Sequence, residues 1–186
     1  MLRERIKVRI NEEFPKGVFV GDCCYVLKDE IYDGIWGKKY EYADGVIRDG
    51  KGRLVMVVGN TFIGDGCYPG YASYEREGAY PGQAPERKDV GFAVDAGNIA
   101  IVNMEFAKDG WKDDNTVTEN CFVYEKPVHN FKYTAETEGS FEIEINSDSG
   151  TCECYVWVDT APEIEDDDEY EDEYDDFEDN FEEEEY

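Results

Sequence analysis

Basic residues and histidine are scarce in this chain. It carries 18 Lys and Arg against 46 Asp and Glu, which gives a formal net charge of −28 at pH 7. This excess of negative charge opposes direct binding to nucleic acid or to anionic membranes, so the expected partner is a basic protein or a small molecule. His129 is the only histidine and has neither Ser nor Cys beside it, so no Ser/His/Asp or Cys/His catalytic arrangement is expected. No cofactor is predicted.

Long apolar runs are also lacking. The segment from Met1 to Arg5 leads into a charged, alternating stretch without the apolar region of a secretory signal, and no run approaches the roughly 20 residues that span a bilayer. We therefore expect a soluble, cytoplasmic protein. Its six cysteines, in a chain with ample apolar residues and no signal, are more typical of small buried side chains than of a disulfide framework.

The chain does contain a dense run of acidic residues at 163–186, called the acidic tail below. Seventeen of its 24 residues are Asp or Glu, none is basic, and five are aromatic. Self-repulsion and the shortage of aliphatic residues prevent such a segment from folding alone. As an α-helix, the tail would carry one charge per about 2.1 Å along the helix axis, which is close to the value of about 1.7 Å for duplex DNA. Fully extended it would carry one per about 4.7 Å, nearer to a single strand.

Four rings of the acidic tail follow the spacing i, i+4, i+7, i+11, which places them on one face of a helix. Acids repeated four residues apart disfavour that helix in water, so we expect the tail to be disordered alone and helical against a basic groove. The predicted partner-binding residues are Asp168, Tyr170, Asp172, Tyr174, Asp175, Asp176, Phe177, Asp179, Phe181 and Glu182. A tail that only keeps the protein soluble is the alternative interpretation.

Residues 1–162 are predicted to form one β-rich domain. About eight to ten short strands at regular spacing indicate an antiparallel β-sandwich or a rolled sheet, with a hairpin at Asp49-Gly50 and a meander in the last three strands. The stretch from Lys28 to Tyr40 predicts one short helix. Thr116 to Glu125 is interpreted as a strand and Glu75 to Lys88 as a loop.

Three aspartates stand in glycine-flanked contexts at predicted strand ends: Asp22, Asp65 and Asp95. If these turns converge, their carboxylates could hold Mg²⁺ or Ca²⁺, or act as a general acid and base. Asp beside Gly is also the usual composition of β-turns, because Asp bonds to nearby backbone and Gly supplies positive φ. The pattern favours the turn interpretation.

Tyrosines cluster beside glycines and prolines between residues 68 and 80. Rigid amphipathic rings of this kind, on a loop, suit a surface that contacts another protein. The residues concerned are Tyr68, Tyr71, Tyr74 and Tyr80.

The three Asp motifs occur in a fixed order, as Gly21-Asp22-Cys23-Cys24-Tyr25, Gly64-Asp65-Gly66-Cys67-Tyr68 and Val94-Asp95-Ala96-Gly97. This trio of GDxxY, GDGxY and VDAG resembles uncharacterised small β-rich proteins of bacteria and their phages, over roughly Val18 to Phe106. The first motif has Cys23 where a proline or another small residue is expected. The resemblance implies a β-rich domain of bacterial or phage origin. It brings no activity and no functional residue, and the acidic tail lies outside the shared pattern.

Three functions fit this sequence. The first is a non-enzymatic inhibitor that imitates nucleic acid and occupies the basic surface of a nucleic-acid-binding protein, which in a phage would make it an anti-defence factor. The second is a metal-dependent small-molecule binder or enzyme that uses Asp22, Asp65 and Asp95. The third is a chaperone-like shield for basic proteins. The acidic tail favours the first.

Overall fold

A computed structural model describes residues 6–36, 44–61, 63–75, 80–136 and 140–158. Within these ranges the chain is mainly β, as predicted, and forms two antiparallel sheets. The strands are β1 (Lys7–Ile10), β2 (Val18–Gly21), β3 (Gly45–Arg48), β4 (Leu54–Asn60), β5 (Gly66–Tyr74), β6 (Glu86–Val94), β7 (Asn98–Asn103), β8 (Phe122–Tyr124), β9 (Val128–Ala135), β10 (Ser140–Ser147) and β11 (Gly150–Trp157). The helices are α1 (Asp29–Trp36) and α2 (Asn115–Glu119), with single 3₁₀ turns at Cys23–Tyr25, Met104–Phe106 and Trp111–Asp113.

The two sheets stack as a sandwich. Sheet A has the strand order β1-β9-β10-β11-β5-β6, and sheet B has the order β3-β4-β7-β2-β8. The predicted meander is confirmed, since β9, β10 and β11 are consecutive antiparallel neighbours in sheet A. The predicted hairpin at Asp49-Gly50 joins β3 to β4, and the Asp49 carboxylate caps it by accepting from the backbone N–H groups of Lys51 and Arg53.

Sheet B is covered on both of its faces. Every residue of β4 is buried, which explains why its sequence is a continuous apolar run rather than an alternating one. Val57 packs in the core between the two sheets, whereas Met56 and Val58 pack in a second core beneath the helical segments. Ile35 of α1 and Val117 of α2 belong to that second core.

Sheet A has one face in the core and one face towards solvent. Phe141, Ile143 and Ile145 of β10 are buried against sheet B, while Glu142 and Glu144 point outward. This two-residue period is the one expected of a half-covered antiparallel sheet. In the described part of the chain, the outward face of sheet A is therefore open to solvent.

Two local predictions were wrong. Residues 116–119 form part of α2 rather than a strand, because the Asp114 side chain accepts from Thr116 N at 2.8 Å and starts a helical turn. That turn buries Val117 completely. The predicted loop ends early, since β6 begins at Glu86. The single predicted helix within 28–40 is confirmed as α1. None of the helices in the described part of the chain has the length and apolar character needed to cross a membrane.

Candidate functional site

The three Asp-containing turns meet at one end of the sandwich. Gly66 at the start of β5 pairs with Val94 at the end of β6, which places the Asp65 and Asp95 turns side by side. Asp22 directly follows β2 and reaches the same place from sheet B. The convergence on which the metal hypothesis depended is therefore present in the backbone.

Both oxygens of the Asp22 carboxylate accept hydrogen bonds from groups of the protein itself. Its Oδ2 accepts from the backbone N–H groups of Asp95 at 2.9 Å and Ala96 at 2.6 Å. Its Oδ1 accepts from Cys24 N at 3.0 Å and from Asn98 Nδ2 at 3.1 Å. Asp22 has no solvent exposure, and burial raises its pKa while the backbone donors act to lower it. Four donors on one buried carboxylate make it a structural acceptor that fixes two turns.

The Asp65 turn is tied into the same region by neutral groups. Tyr68 is buried and its hydroxyl donates to Gly64 O at 2.7 Å. Thr61 N donates to Gly97 O at 2.9 Å, which joins the end of β4 to the turn after β6. The positions of Gly64, Tyr68 and Gly97 in these motifs are thus explained by packing and by turn hydrogen bonds.

The described residues of these turns do not provide a set of ligands for a metal ion. The side chains of Asp65 and Asp95 are exposed, and in the described part of the chain no three His, Cys, Asp or Glu side chains are placed to hold a metal ion. Burial raises the pKa of Cys24, and it raises that of Cys121 to about 12, so both thiols are protonated at neutral pH. The metal site at Asp22, Asp65 and Asp95 stays a prediction, and this geometry favours the turn interpretation.

The predicted partner-binding residues, Asp168 to Glu182, lie outside the described residues. What the structure does describe is the strand that precedes the acidic tail in the sequence. β11 lies between β10 and β5 in the interior of sheet A, and Val158 directly after it has no solvent exposure. The acidic tail thus begins six residues after the end of β11 at Trp157.

Three aromatic side chains form a patch on the outer face of sheet A, called the ring patch below. Tyr71 and Tyr155 stack with their centroids 5.9 Å apart, and the Trp157 ring lies 4.7 Å from that of Tyr155. The guanidinium of Arg87 lies 4.0 Å from the centre of the Tyr71 ring, in cation–π geometry. The expectation that Tyr71 sits on a loop was wrong, because β5 carries it and Tyr68 on opposite faces of a strand.

Beside the ring patch lies a depression of about 300 Å³ with an acidic lining. Glu142, Glu144 and Glu153 contribute to it, together with Tyr71 and Tyr155. Glu144 and Glu153 stand directly opposite each other on neighbouring strands, a pairing of like charges that is normally unfavourable. A hydrogen bond from Lys132 Nζ at 2.8 Å holds the pKa of Glu144 below its usual range. This face of the protein combines rings and carboxylates.

A larger groove of about 750 Å³ runs along the β8 edge of sheet B, and it is called the lysine groove below. Its lining combines basic and aromatic side chains drawn from distant parts of the sequence. The residues that matter here are Tyr74, Lys88, Trp111, Lys112, Tyr124 and Lys126. Sequence patterns did not indicate this groove, because its lysines are far apart in sequence and come together only in the folded chain.

Comparisons with known protein families, with curated proteins and with solved structures find no match for this chain.

Proposed function

We propose that this protein is a non-enzymatic inhibitor that presents the acidic tail to the basic surface of a nucleic-acid-binding protein and thereby blocks that surface. The observation that carries the proposal is the charge spacing of residues 163–186, seventeen acids in 24 residues, which falls in the range of nucleic acids. The position of β11 supports it, because this interior strand of sheet A ends six residues before the acidic tail begins.

The outer face of sheet A supports the same function. Trp157 of the ring patch is the last residue of β11, so a partner that follows the acidic tail back to the domain would reach this face first. Arginine side chains stack on tyrosine and tryptophan rings and form paired hydrogen bonds with carboxylates. The ring patch and the glutamates beside it offer both contacts. They would add specificity to attraction that is otherwise only electrostatic.

The resemblance of the three turn motifs to bacterial and phage domains makes nucleases and nucleic-acid-binding defence proteins the partner class to test first. An inhibitor of this type competes with nucleic acid for one surface. If about ten carboxylates engage, affinity should fall by roughly 10³-fold or more between about 50 and 200 mM salt, by analogy with phosphate contacts.

The experiment is a pull-down from host lysate with the full chain and with a chain truncated after Pro162. We expect the full chain to capture one basic nucleic-acid-binding protein, added nucleic acid to displace it, and the truncated chain to capture none. A variant with Tyr170, Tyr174, Phe177 and Phe181 replaced by Ser keeps the charge and tests the rings. Equal capture by the truncated chain would rule the proposal out. Capture of many unrelated basic proteins would favour a general shield instead.

A further inference from the structure

We propose that the lysine groove binds the acidic tail of the same chain, so that the tail is held on its own domain until a more basic surface withdraws it. This goes beyond the proposed function, because it concerns where the tail lies before any partner is met.

The charge of the groove complements that of the tail. Lys88, Lys112 and Lys126 line it, in a chain whose net charge is −28. Glu125 also lines it and pairs with Lys112 at 2.5 Å, which neutralises one of the three cations. Lys126 donates to the uncharged Ser149 hydroxyl at 3.3 Å, and among residues that the structure describes neither Lys88 nor Lys126 forms an ion pair. Two ammonium groups are thus available to carboxylates.

The groove also has an apolar floor suited to rings. Trp111 and Tyr124 are partly buried, and Phe122 of the edge strand β8 is buried and belongs to the core. The Lys112 ammonium lies 5.2 Å from the centre of the Trp111 ring, so cations and rings already share this surface. The acidic tail has the matching composition, with aromatic residues at helical spacing among carboxylates.

The connecting chain is long enough to make the contact. Cys152 of β11 pairs with Tyr74, which lines the groove, and Val158 lies six residues further on, about 20 Å along the strand at roughly 3.3 Å per residue. The residues from 159 to 169 can span about 36 Å when extended, so Tyr170 can return to the groove. A short tether of this kind gives an effective concentration of about millimolar, which favours even weak docking within one molecule.

Docking in cis would make the tail selective. A free segment with seventeen acids attracts every basic surface, whereas a docked one yields only to a partner that outcompetes the groove. Neutralising the groove lysines should therefore raise the apparent affinity for the partner.

The test is zero-length carbodiimide cross-linking of the full chain at low protein concentration, followed by peptide mass spectrometry of the monomer. Cross-links from tail carboxylates to Lys88 and Lys126 should exceed those to the exposed Lys16 and Lys51 several-fold, and half-molar salt should suppress them. Yields that are equal at all four lysines would overturn the proposal. So would cross-links confined to dimers, which would place the contact between molecules.

The second measurement follows the Trp111 indole resonance by NMR in the full chain. The double substitution Lys88→Gln and Lys126→Gln should shift this resonance to its high-salt position, whereas the charge-matched control Lys16→Gln and Lys51→Gln should leave it in place. No difference between the two variants would count against the groove. These outcomes do not depend on a partner, so failure here leaves the proposed function standing, and failure of the pull-down leaves this contact standing.

Discussion

At the scale of single residues, the buried carboxylate of Asp22 holds together turns that are more than seventy positions apart in sequence. It accepts from backbone N–H groups at Cys24, Asp95 and Ala96, and from the Asn98 amide. Asp65 belongs to a motif of similar composition, yet its side chain is exposed. Two motifs of similar sequence thus contain one structural residue and one surface residue.

Replacing Asp22 by Asn should lower the free energy of unfolding by about 3 kcal/mol, because the new amide NH₂ would face buried donors and leave them unsatisfied. The matched control, Asp65→Asn, should change it by less than about 0.5 kcal/mol. Urea unfolding followed by tryptophan fluorescence measures both. Similar losses for the two variants would show that the Asp22 network is not what stabilises this end of the sandwich.

The single imidazole of the chain provides a second prediction at this scale. His129 Nε2 lies 2.6 Å from Asp148 Oδ1, and this contact raises the pKa of His129. Because the folded-state pKa is raised, the stability that the pair contributes is present below pH 6.5 and is lost as the pH rises through the folded value. NMR titration of the His129 ring should show a raised pKa that falls towards 6.5 in Asp148→Asn. The control Asp89→Asn, on the far edge of sheet A, should leave that pKa unchanged.

At the scale of elements, the strands could be predicted wherever solvent exposure of the two sheet faces alone determines the pattern of apolar residues. Apolar and polar residues alternate in β10 and β11 because one face of their sheet is exposed to solvent. The residues of β4 are continuously apolar because both faces of its sheet are covered. The helix α2 was not predictable in this way. Its residues, Asn115 to Glu119, include β-branched side chains that favour strands, and the Asp114 cap together with burial of Val117 outweighs that preference.

Two glycines should respond to alanine with opposite signs. Gly34 lies within α1 with nothing within 4 Å of an added Cβ, so Gly34→Ala should stabilise the protein by up to about 1 kcal/mol through helix propensity. At Gly70 in β5 an added Cβ would meet the Tyr155 carbonyl oxygen and lie 2.7 Å from the Phe92 ring. Gly70→Ala should therefore destabilise by about 2 kcal/mol or more. Thermal unfolding measures both, and a loss of stability in Gly34→Ala would contradict the first.

At the scale of the whole molecule, the sequence revealed the composition of the acidic tail and the sandwich, but it could not reveal the surfaces that the fold assembles. The ring patch joins Tyr71 to Tyr155 and Trp157 across two strands that are distant in sequence. The lysine groove brings together Lys88 of β6 in sheet A and Lys126, which follows β8 of sheet B. Such sites depend on strand order, which local patterns do not specify. The sequence was enough to locate the three Asp turns. Their structural role could be recognised only from the hydrogen bonds in the folded protein.

The position of β11 has a mechanical consequence. This strand pairs along its full length with β10 on one side, and it pairs with β5 on the other side. A molecular motor that pulls on residues 163–186 would apply a shear force along the axis of β11. Many inter-strand hydrogen bonds would then have to break together instead of one after another. An unfolding protease that pulls on this polyanion would thus have to break both ladders of an interior strand before that strand could leave the sheet.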